Sequence, residues 1–171
     1  PSVEGVWRLK DASIAEAKDW ELASRPWGQI TSIAVSKNIP NIVFFGRTNG
    51  RVYKIENAHQ TDENYRPVDI SGDPGLPSAY VSSIDVDPND ANHILITYSN
   101  YGVKSVWETK NALSESPSWT AAEGDLPDLP VRWGLFHPKE TNICYLATEL
   151  GVFYTKQLDG ENTIWQPMDK G

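Results

Sequence analysis

The sequence predicts an all-β fold made of repeated four-stranded antiparallel sheets. The first observation is a repeat, because similar segments follow one another at 28–65, 79–119 and 129–165. The second is the steady spacing of two anchor positions. One anchor ends the first strand of each copy and is Ser36, Asp87 or His137. The other opens the third strand and is Gly50, Gly102 or Gly151. Several short strands in a unit with a period near 50 residues indicate the blades of a β-propeller.

The predicted strands follow the same order in every copy. In the first strand, apolar residues alternate, as in Val81, Ile84 and Val86, and a Pro-containing turn follows. The second strand is almost wholly apolar ("IVFFG", "ILITY", "ICYLAT"), which is typical of a strand covered on both faces. A Gly-containing hairpin leads to the third strand. A polar loop then ends at an aromatic residue that opens the short fourth strand: Tyr65, Trp119 or Trp165.

The first residues predict an incomplete blade. "GVWRLKDASIAEAKDW" matches "GRVYKIENAHQTDENY" in order, so residues 1–26 are predicted to form the last two strands of a blade whose first two strands are missing. Complete blades are predicted at 27–77, 78–127 and 128–171. Closed propellers typically have four to eight blades, so we expect this chain to be a segment of a larger protein.

Composition excludes several kinds of partner. The net charge is −8 and no Lys/Arg cluster occurs, which argues against nucleic acid. No apolar run is long enough to predict a membrane span. Cys144 is the single cysteine, within "ICYLAT", and is predicted to be a buried strand residue. The three histidines lack metal-ligand spacing, so neither a metal site nor a cofactor is predicted.

One motif resembles a known repeat. Asp159, Gly160, Thr163 and Trp165 form a stretched version of the Asp-box, and the earlier copies keep only the aromatic end. The chain thus resembles the Asp-box (BNR-type) propellers of the sialidase-like, sortilin-like and xyloglucanase-like kinds. The resemblance implies a structural box, in which the Asp and Trp side chains pin a hairpin on the outside of the blade.

A second resemblance covers nearly the whole chain. The phrases "VYKIENA", "VDPNDANHILITYSNYGVKSVWET" and "LPVRWGLFHP" with "YLATELGVF" are similar to large secreted propeller proteins of Bacteroidetes-type bacteria. This resemblance implies an extracellular or cell-surface location.

The sequence predicts no catalytic residue in this segment. No arginine lies in a recognisable sialidase triad. Xyloglucanase-type enzymes use two carboxylates across a cleft, and the carboxylates nearest strand ends here are Asp85, Asp87, Glu108 and Glu149. Asp87 is interpreted as a turn former in an Asp-Pro turn. Asp85 alternates with apolar neighbours, so it is expected to line the central channel or to be solvated there.

Ligand binding is predicted on the top face, where the loops that lead into each blade meet the hairpins between second and third strands. Aromatic rings with amides and a few charges suit sugars or peptide side chains. Trp133 leads the candidates because its siblings in the other copies are Ser32 and Ser83. Arg132 and Glu149 are expected to be able to pair. The alternative is that such aromatics are wedges between blades. The predicted ligand-binding residues are Trp133, Arg132, Trp27, Tyr101, Glu149 and Asn100, with Tyr80 and Asn49 on the same face.

The function favoured by these observations is a non-catalytic propeller module of a secreted or cell-surface protein that binds glycan or protein. The alternative is a fragment of a polysaccharide-active glycoside hydrolase, xyloglucanase-like or sialidase-like, with its catalytic residues elsewhere. Apolar blade faces at the two ends predict self-association, or cover by further blades of the parent chain.

Overall fold

The fold consists almost entirely of strands. The computed structural model describes residues 5–11, 13–16, 19–26, 28–72, 75–140 and 142–168. A short 3₁₀ helix lies at Gly160–Asn162, and every pairing between described strands is antiparallel. The all-β prediction is confirmed.

The described strands form three four-stranded sheets, called blades 1 to 3, and one two-stranded sheet, called the half-blade. In each sheet the strands are neighbours in chain order. The half-blade contains β1 (Val6–Arg8) and β2 (Glu21–Ser24). Blade 1 contains β3 (Ile30–Val35), β4 (Val43–Arg47), β5 (Val52–Ile55) and β6 (Val68–Asp69). Blade 2 contains β7 (Val81–Val86), β8 (Ile94–Tyr98), β9 (Val106–Thr109) and β10 (Thr120–Ala121). Blade 3 contains β11 (Val131–Phe136), β12 (Cys144–Thr148), β13 (Gly151–Thr155) and β14 (Gln166–Pro167). The predicted propeller segment of three blades and half a blade is confirmed.

The blades pack face to face, with β7 lying between β3 and β11. Side chains alternate along a strand, so each sheet has a rear face toward the preceding blade and a forward face toward the next. In blade 2, Ile84 and Val86 lie on the rear face, in a core shared with Phe44 and Val52 of blade 1. Leu95 lies on the forward face, in the core shared with blade 3. Because both faces are covered, every residue of β8 is buried, as its apolar sequence predicted.

The first strand of each blade carries the same β-bulge, between Ile30 and Ser32, Val81 and Ser83, and Val131 and Trp133. In blades 1 and 2 the residue after the bulge is a serine that accepts a hydrogen bond from the backbone of the next blade. Ser32 Oγ accepts from the Ile84 N–H at 3.0 Å, and Ser83 Oγ accepts from the Gly134 N–H at 2.8 Å. Blade 3 has Trp133 at this position. A serine therefore joins the inner strands at each complete seam between blades.

The outer strands are joined by tryptophans. The Trp119 indole N–H donates to the Ile70 carbonyl of blade 1 at 2.6 Å. The Trp165 indole N–H donates to the Ala122 carbonyl of blade 2 at 3.0 Å. The predicted aromatic at the start of the fourth strand thus closes the outer end of the seam. Ring burial and one hydrogen bond are what a buried Trp requires.

Asp85 also belongs to a seam, and this corrects its predicted place. We expected it to line the channel or to be solvated, but its Oδ2 accepts a hydrogen bond from the Phe136 N–H at 2.8 Å. Burial raises the pKa of the Asp85 carboxyl, although the hydrogen bond from Phe136 works in the opposite direction. The carboxylate is therefore used to join blades 2 and 3.

The half-blade is docked on blade 1 in the manner of a blade. Val6 packs with Val43, Phe45 and Ile55. The Arg8 guanidinium donates to the Ala58 carbonyl at 2.5 Å. Arg8 also donates to the Thr61 carbonyl at 2.8 Å and pairs with Glu21 at 3.0 Å. These contacts fix the half-blade relative to the first complete sheet.

Two substitutions at Asp85 are expected to separate its hydrogen bond from its charge. Asp85→Ala leaves the buried Phe136 N–H without its acceptor and should destabilise the protein by about 1–3 kcal/mol. Asp85→Asn keeps an oxygen acceptor and is expected to be at least as stable as the wild type at pH 7. Denaturant unfolding of both variants and the wild type measures these differences.

The pH dependence follows from the raised pKa of Asp85. A carboxyl whose pKa is higher in the folded state favours folding below its unfolded pKa of about 3.9, and this contribution is lost as the pH rises through the folded pKa. Any advantage of Asp85→Asn over the wild type should therefore shrink as the pH is lowered toward 4. Equal destabilisation by Asn and Ala at pH 7 would contradict this account.

Candidate ligand-binding surface

The structure brings three of the predicted binding residues into one hydrogen-bonded cluster. The Tyr101 hydroxyl, in the β8–β9 hairpin of blade 2, donates to Glu149 Oε2 at 2.7 Å. Arg132 Nη2, on β11 of blade 3, donates to Glu149 Oε1. The predicted Arg132–Glu149 pair is thus present, and Tyr101 links it to the neighbouring blade. All three side chains are exposed, so the cluster is open to a ligand.

The β11 bulge and the β12–β13 hairpin position this cluster. Thr148 and Gly151 are opposite each other where β12 turns into β13, which places Glu149 at the tip of the hairpin. Thr148 Oγ1 donates to the Gly151 carbonyl at 2.8 Å and accepts the Leu150 N–H at 3.1 Å. The tip is therefore held by its own hydrogen bonds, independently of the exposed cluster.

Hydrogen bonds within the cluster shift the pKa values of Glu149 and Tyr101. The hydrogen bond from Tyr101, followed by that from Arg132, lowers the pKa of Glu149. The same bond to Glu149 raises the pKa of the Tyr101 phenol. Glu149 is therefore an anion held by two donors, and it is unsuited to donate a proton as a general acid at neutral pH.

Asn100 has a positioning role in the structure. Its Oδ1 accepts the Tyr80 N–H at 2.7 Å, where the chain leads into β7. The Gly102 N–H donates to Asp128 Oδ1 at 3.1 Å, which ties the same hairpin to the segment before β11. These two bonds hold Tyr101 between blades 2 and 3. Trp27, another of the predicted residues, lies outside the described residues.

Trp133 lies on the forward face of blade 3, at the position of the seam serines. Its side chain is 54% exposed, whereas Ser83 at the equivalent position is fully buried. Side chains in register with it on the same face include Leu135, Tyr145, Val152 and Tyr154. Trp133 was predicted on the top face, and the structure places it, next in sequence to Arg132, on the face through which blades 1 and 2 contact the blade that follows them.

The other candidate carboxylates are engaged in structural contacts. Asp87 forms its predicted turn, with Oδ1 accepting the Asn89 N–H at 2.8 Å. Its Oδ2 contacts His93 Nδ1 at 3.2 Å, and Glu108 Oε2 contacts His93 Nε2 at 3.0 Å. Burial acts to raise the pKa of Glu108, but the hydrogen bond from His93 and the charge of Lys110 lower it below its usual value.

This acid–His–acid cluster was not identified from the sequence. His93 takes a position that is isoleucine in the other copies, Ile42 and Ile143. The centroid of its ring lies 4.6 Å from the centroid of the Phe136 ring in blade 3. A polar residue at a position that is otherwise apolar in the repeat was the available signal. No group of three or more His, Cys, Asp or Glu side chains able to hold a metal occurs in the described part of the chain.

The Asp-box-like segment forms one wall of an open groove of about 700 Å³ between blades 2 and 3. Thr163 Oγ1 accepts the Asp159 N–H at 2.9 Å and donates to the Gly160 carbonyl at 2.7 Å. Trp165 joins the segment to blade 2 through its bond to the Ala122 carbonyl. The Asp159 side chain makes no capping hydrogen bond at the start of the 3₁₀ helix. The Thr163 hydroxyl provides the side-chain hydrogen bonds of this segment.

Comparison with known proteins supports the fold. No family model matches the chain, and no curated protein matches it. An ancestral GH74 enzyme is similar at 20% identity over 88% of this chain and 20% of that one, with a TM-score of 0.61. The β-propeller domain of Cps50 (Swd1) from Myceliophteria thermophila is similar at 11% identity over 82% of this chain and 39% of that one, with a TM-score of 0.58.

A third solved structure, the GH74 xyloglucanase from Xanthomonas campestris, is similar at 14% identity over 82% of this chain and 20% of that one, with a TM-score of 0.55. The chain therefore spans less than half the length of all three. At such identities the similarity establishes the β-propeller fold alone. No helix in the described ranges is long and apolar enough to cross a membrane.

The top-face cluster is suited to binding and poorly suited to acid–base catalysis. A glycosidase needs a carboxyl with a raised pKa facing its substrate. Among the described carboxyls, burial raises the pKa of Asp85 and of Glu123. Both accept backbone N–H groups, from Phe136 and Ser105, inside the structure. The exposed carboxylate, Glu149, has its pKa lowered.

Replacing the charge of Glu149 is expected to change the ionisation of Tyr101. Glu149→Gln removes the anion that opposes phenolate formation, so the pKa of Tyr101 should fall toward 10. Titration of the tyrosine Cζ signals by ¹³C NMR, with Tyr101→Phe for assignment, measures the shift. The melting temperature should hardly change because the pair is exposed. An unchanged Tyr101 titration would show that the hydrogen bond does not persist in solution.

Proposed function

We propose that this β-propeller segment is a non-catalytic binding module of a secreted or cell-surface protein, and that it binds glycan or protein through its top face. The observation that carries the proposal is the Arg132–Glu149–Tyr101 cluster, which joins two blades at an exposed surface next to Trp133. Exposed ion pairs contribute little to stability, so structural need alone is a weak reason for this arrangement.

The chemistry of the cluster suits hydroxyl-rich or amide-rich ligands. Arg132 has further N–H donors beyond the one that Nη2 directs to Glu149. Tyr101 and Trp133 present aromatic faces of the kind that stack on sugar rings or apolar side chains. Because hydrogen bonds already hold Tyr101 and Arg132, a ligand meets side chains whose conformational entropy is partly lost, which favours binding.

The secreted or cell-surface location rests on the resemblance to secreted propeller proteins. The similar structures include GH74 enzymes as well as the Swd1 propeller domain. A second candidate function follows from the GH74 similarity: a fragment of a polysaccharide-active hydrolase in which this segment binds polymer and the catalytic carboxylates are elsewhere.

Trp133→Ala and Tyr101→Ala are expected to abolish binding of the chain to a glycan or peptide array while barely changing the melting temperature. Lys104→Ala is the matched control, since it also breaks an exposed ion pair, with Glu161 at 3.0 Å, but lies outside the cluster. A melting temperature that falls by many degrees in Trp133→Ala would identify Trp133 as an inter-blade wedge. Unchanged array binding in both cluster variants would overturn the proposed surface.

Incubation of the chain with xyloglucan is expected to release no reducing ends, because no described carboxyl with a raised pKa faces the surface. A reducing-sugar assay measures this directly. Release by the chain, abolished by Glu149→Gln, would overturn the non-catalytic proposal. Release only by a longer polypeptide that contains this segment would favour the second candidate.

A further inference from the structure

The groove between blades 2 and 3 is lined mainly by polar side chains, and we call it the rim groove. It is bounded by residues 108–111, Ser118 and Thr120 of blade 2 and by residues 159–162 of blade 3. The charged side chains that line it are three carboxylates and one ammonium: Glu108, Asp159, Glu161 and Lys110. Both blades are complete four-stranded sheets. The groove therefore lies at a seam whose two walls are fully described.

Glu108 is the buried carboxylate of the rim groove, with a side chain that is 5% exposed. His93 Nε2 lies 3.0 Å from Glu108 Oε2, and Lys110 Nζ lies 3.5 Å from the same oxygen. Despite the burial of Glu108, these two contacts hold its pKa below the usual value, so the side chain is an anion at neutral pH. No described group donates a hydrogen bond to the other oxygen, Oε1. Buried polar atoms are normally hydrogen-bonded, so this oxygen is available to a donor from a ligand.

The residues equivalent to Glu108 in the two preceding sheets are cations. Lys54 takes the same third-strand position in blade 1, and Arg8 takes it in the half-blade. The Lys54 ammonium donates across the seam to the Leu113 carbonyl, in the outer loop of blade 2, at 3.0 Å. The Arg8 guanidinium likewise donates to the Thr61 carbonyl, in the outer loop of blade 1, at 2.8 Å. At both seams a cation of the third strand therefore bonds to the loop of the following blade.

This cation is replaced by an anion at the rim groove. The Glu108 carboxylate has no proton to donate to a carbonyl of the blade 3 loop. In that loop Asp159 takes the place of Leu113, because the two residues follow the equivalent threonines Thr155 and Thr109 at the same distance along the chain. No described residue donates to the Asp159 carboxylate. The positions that hold an ammonium and its acceptor at the preceding seam thus hold two carboxylates here.

We infer that the rim groove binds a lysine or arginine side chain of a partner polypeptide. The ammonium or guanidinium of that side chain donates to Glu108 Oε1 and to the Asp159 carboxylate, and so supplies the cation that this seam lacks. The side chains of Ser118, Thr120 and Asn162 line the same groove and bond to the partner's backbone. This site is separate from the top-face cluster and does not depend on the proposed function.

A basic polypeptide fits the groove better than a metal ion or a small free amine. Among the described residues no group of three or more His, Cys, Asp or Glu side chains is arranged to hold a metal. A free amine has no carbonyl group to accept from the hydroxyls of the groove, whereas a peptide backbone both donates and accepts. The Lys110 side chain is 64% exposed, so its ammonium has room to move into solvent when a second cation enters.

The probe is the acetylated and amidated peptide Gly-Ser-Lys-Ser-Gly, titrated into the ¹⁵N-labelled chain at low salt, where exposed charges are least screened. The same peptide with norleucine in place of lysine keeps the carbon chain and lacks the charge. Butylamine tests a free amine, and Mg²⁺ tests a metal ion. Shifts of the amide signals report the affinity and the place of binding, with Thr120 and Gly160 in the rim groove and Tyr101 on the top face.

Saturable shifts of the Thr120 and Gly160 amides are expected with the lysine peptide. The affinity should be about tenfold or more lower with the norleucine peptide, because the hydrogen bonds to charged groups are lost. Butylamine should bind more weakly than the lysine peptide, because it lacks the backbone groups.

Asp159→Asn should weaken binding of the lysine peptide about threefold or more, since it removes an exposed carboxylate of the groove. Glu63→Gln is the control, because it removes an exposed carboxylate that pairs with Arg25 at 3.5 Å, away from the groove, and it should bind like the wild type. Ser118→Arg adds a guanidinium to the groove and should block the peptide. Melting temperatures of the three variants confirm that they fold.

Four results would overturn the inference. The first is equal binding of the lysine and norleucine peptides, and the second is a set of shifts confined to the top face. The third is equal weakening by Asp159→Asn and Glu63→Gln, which would identify general attraction to an acidic chain. The fourth is binding of butylamine or Mg²⁺ at the same amides with an affinity equal to that of the lysine peptide or higher, because a polypeptide would then not be the ligand.

Discussion

The side chain-to-backbone hydrogen bond between neighbouring inner strands is the contact on which this fold depends. A blade is a sheet with two apolar faces, and it is stable only when both are covered. In blades 1 and 2 the bulge in the first strand turns a serine toward the next blade, where Ser32 and Ser83 accept hydrogen bonds from the amides of Ile84 and Gly134. This bond sets the alignment of the inner strands, and the alignment brings Leu95 and Phe44 into shared cores.

The seams share this frame but differ in their buried polar contacts. One position of the third strand can be compared in all four sheets. From the half-blade to blade 3 it is occupied by Arg8, Lys54, Glu108 and Tyr154. Arg8 and Lys54 donate to loop carbonyls of the following blade, with Lys54 Nζ 3.0 Å from the Leu113 carbonyl. Glu108 instead contacts His93, whose ring lies against Phe136. A buried charge left unpaired is costly, and the buried Lys54 and Glu108 side chains each have partners at their own seam.

The fold was predictable from the sequence because its signals are local. The contacts at the seams between blades were not predictable. Alternation, Pro turns and Gly hairpins each span a few residues, and the repeat multiplies them. The Arg132–Glu149 pair could also be foreseen, because one sheet holds both residues. The seam contact of Asp85 could not, since it joins residues 51 positions apart and requires the stacking of blades. His93 was missed because its partners, Asp87 and Glu108, are brought together only by the register of β7, β8 and β9.

The two outer faces of the segment have different chemistry for a physical reason. On the rear side of blade 1 the equivalents of buried seam residues are still aliphatic, Ile33 and Val35, so that face keeps the composition of a seam. On the forward side of blade 3 the serine is replaced by Trp133. Tyr145 takes the position of Phe44 in blade 1 and Leu95 in blade 2. Tyr154 takes the position of Lys54 in blade 1 and Glu108 in blade 2. The Tyr154 hydroxyl donates to Gln166 Oε1 at 2.7 Å. Aromatic residues with polar ends tolerate contact with water, whereas the aliphatic side chains on the rear side of blade 1 are of the kind that the other seams bury, as Ile84 and Val86 are buried in blade 2.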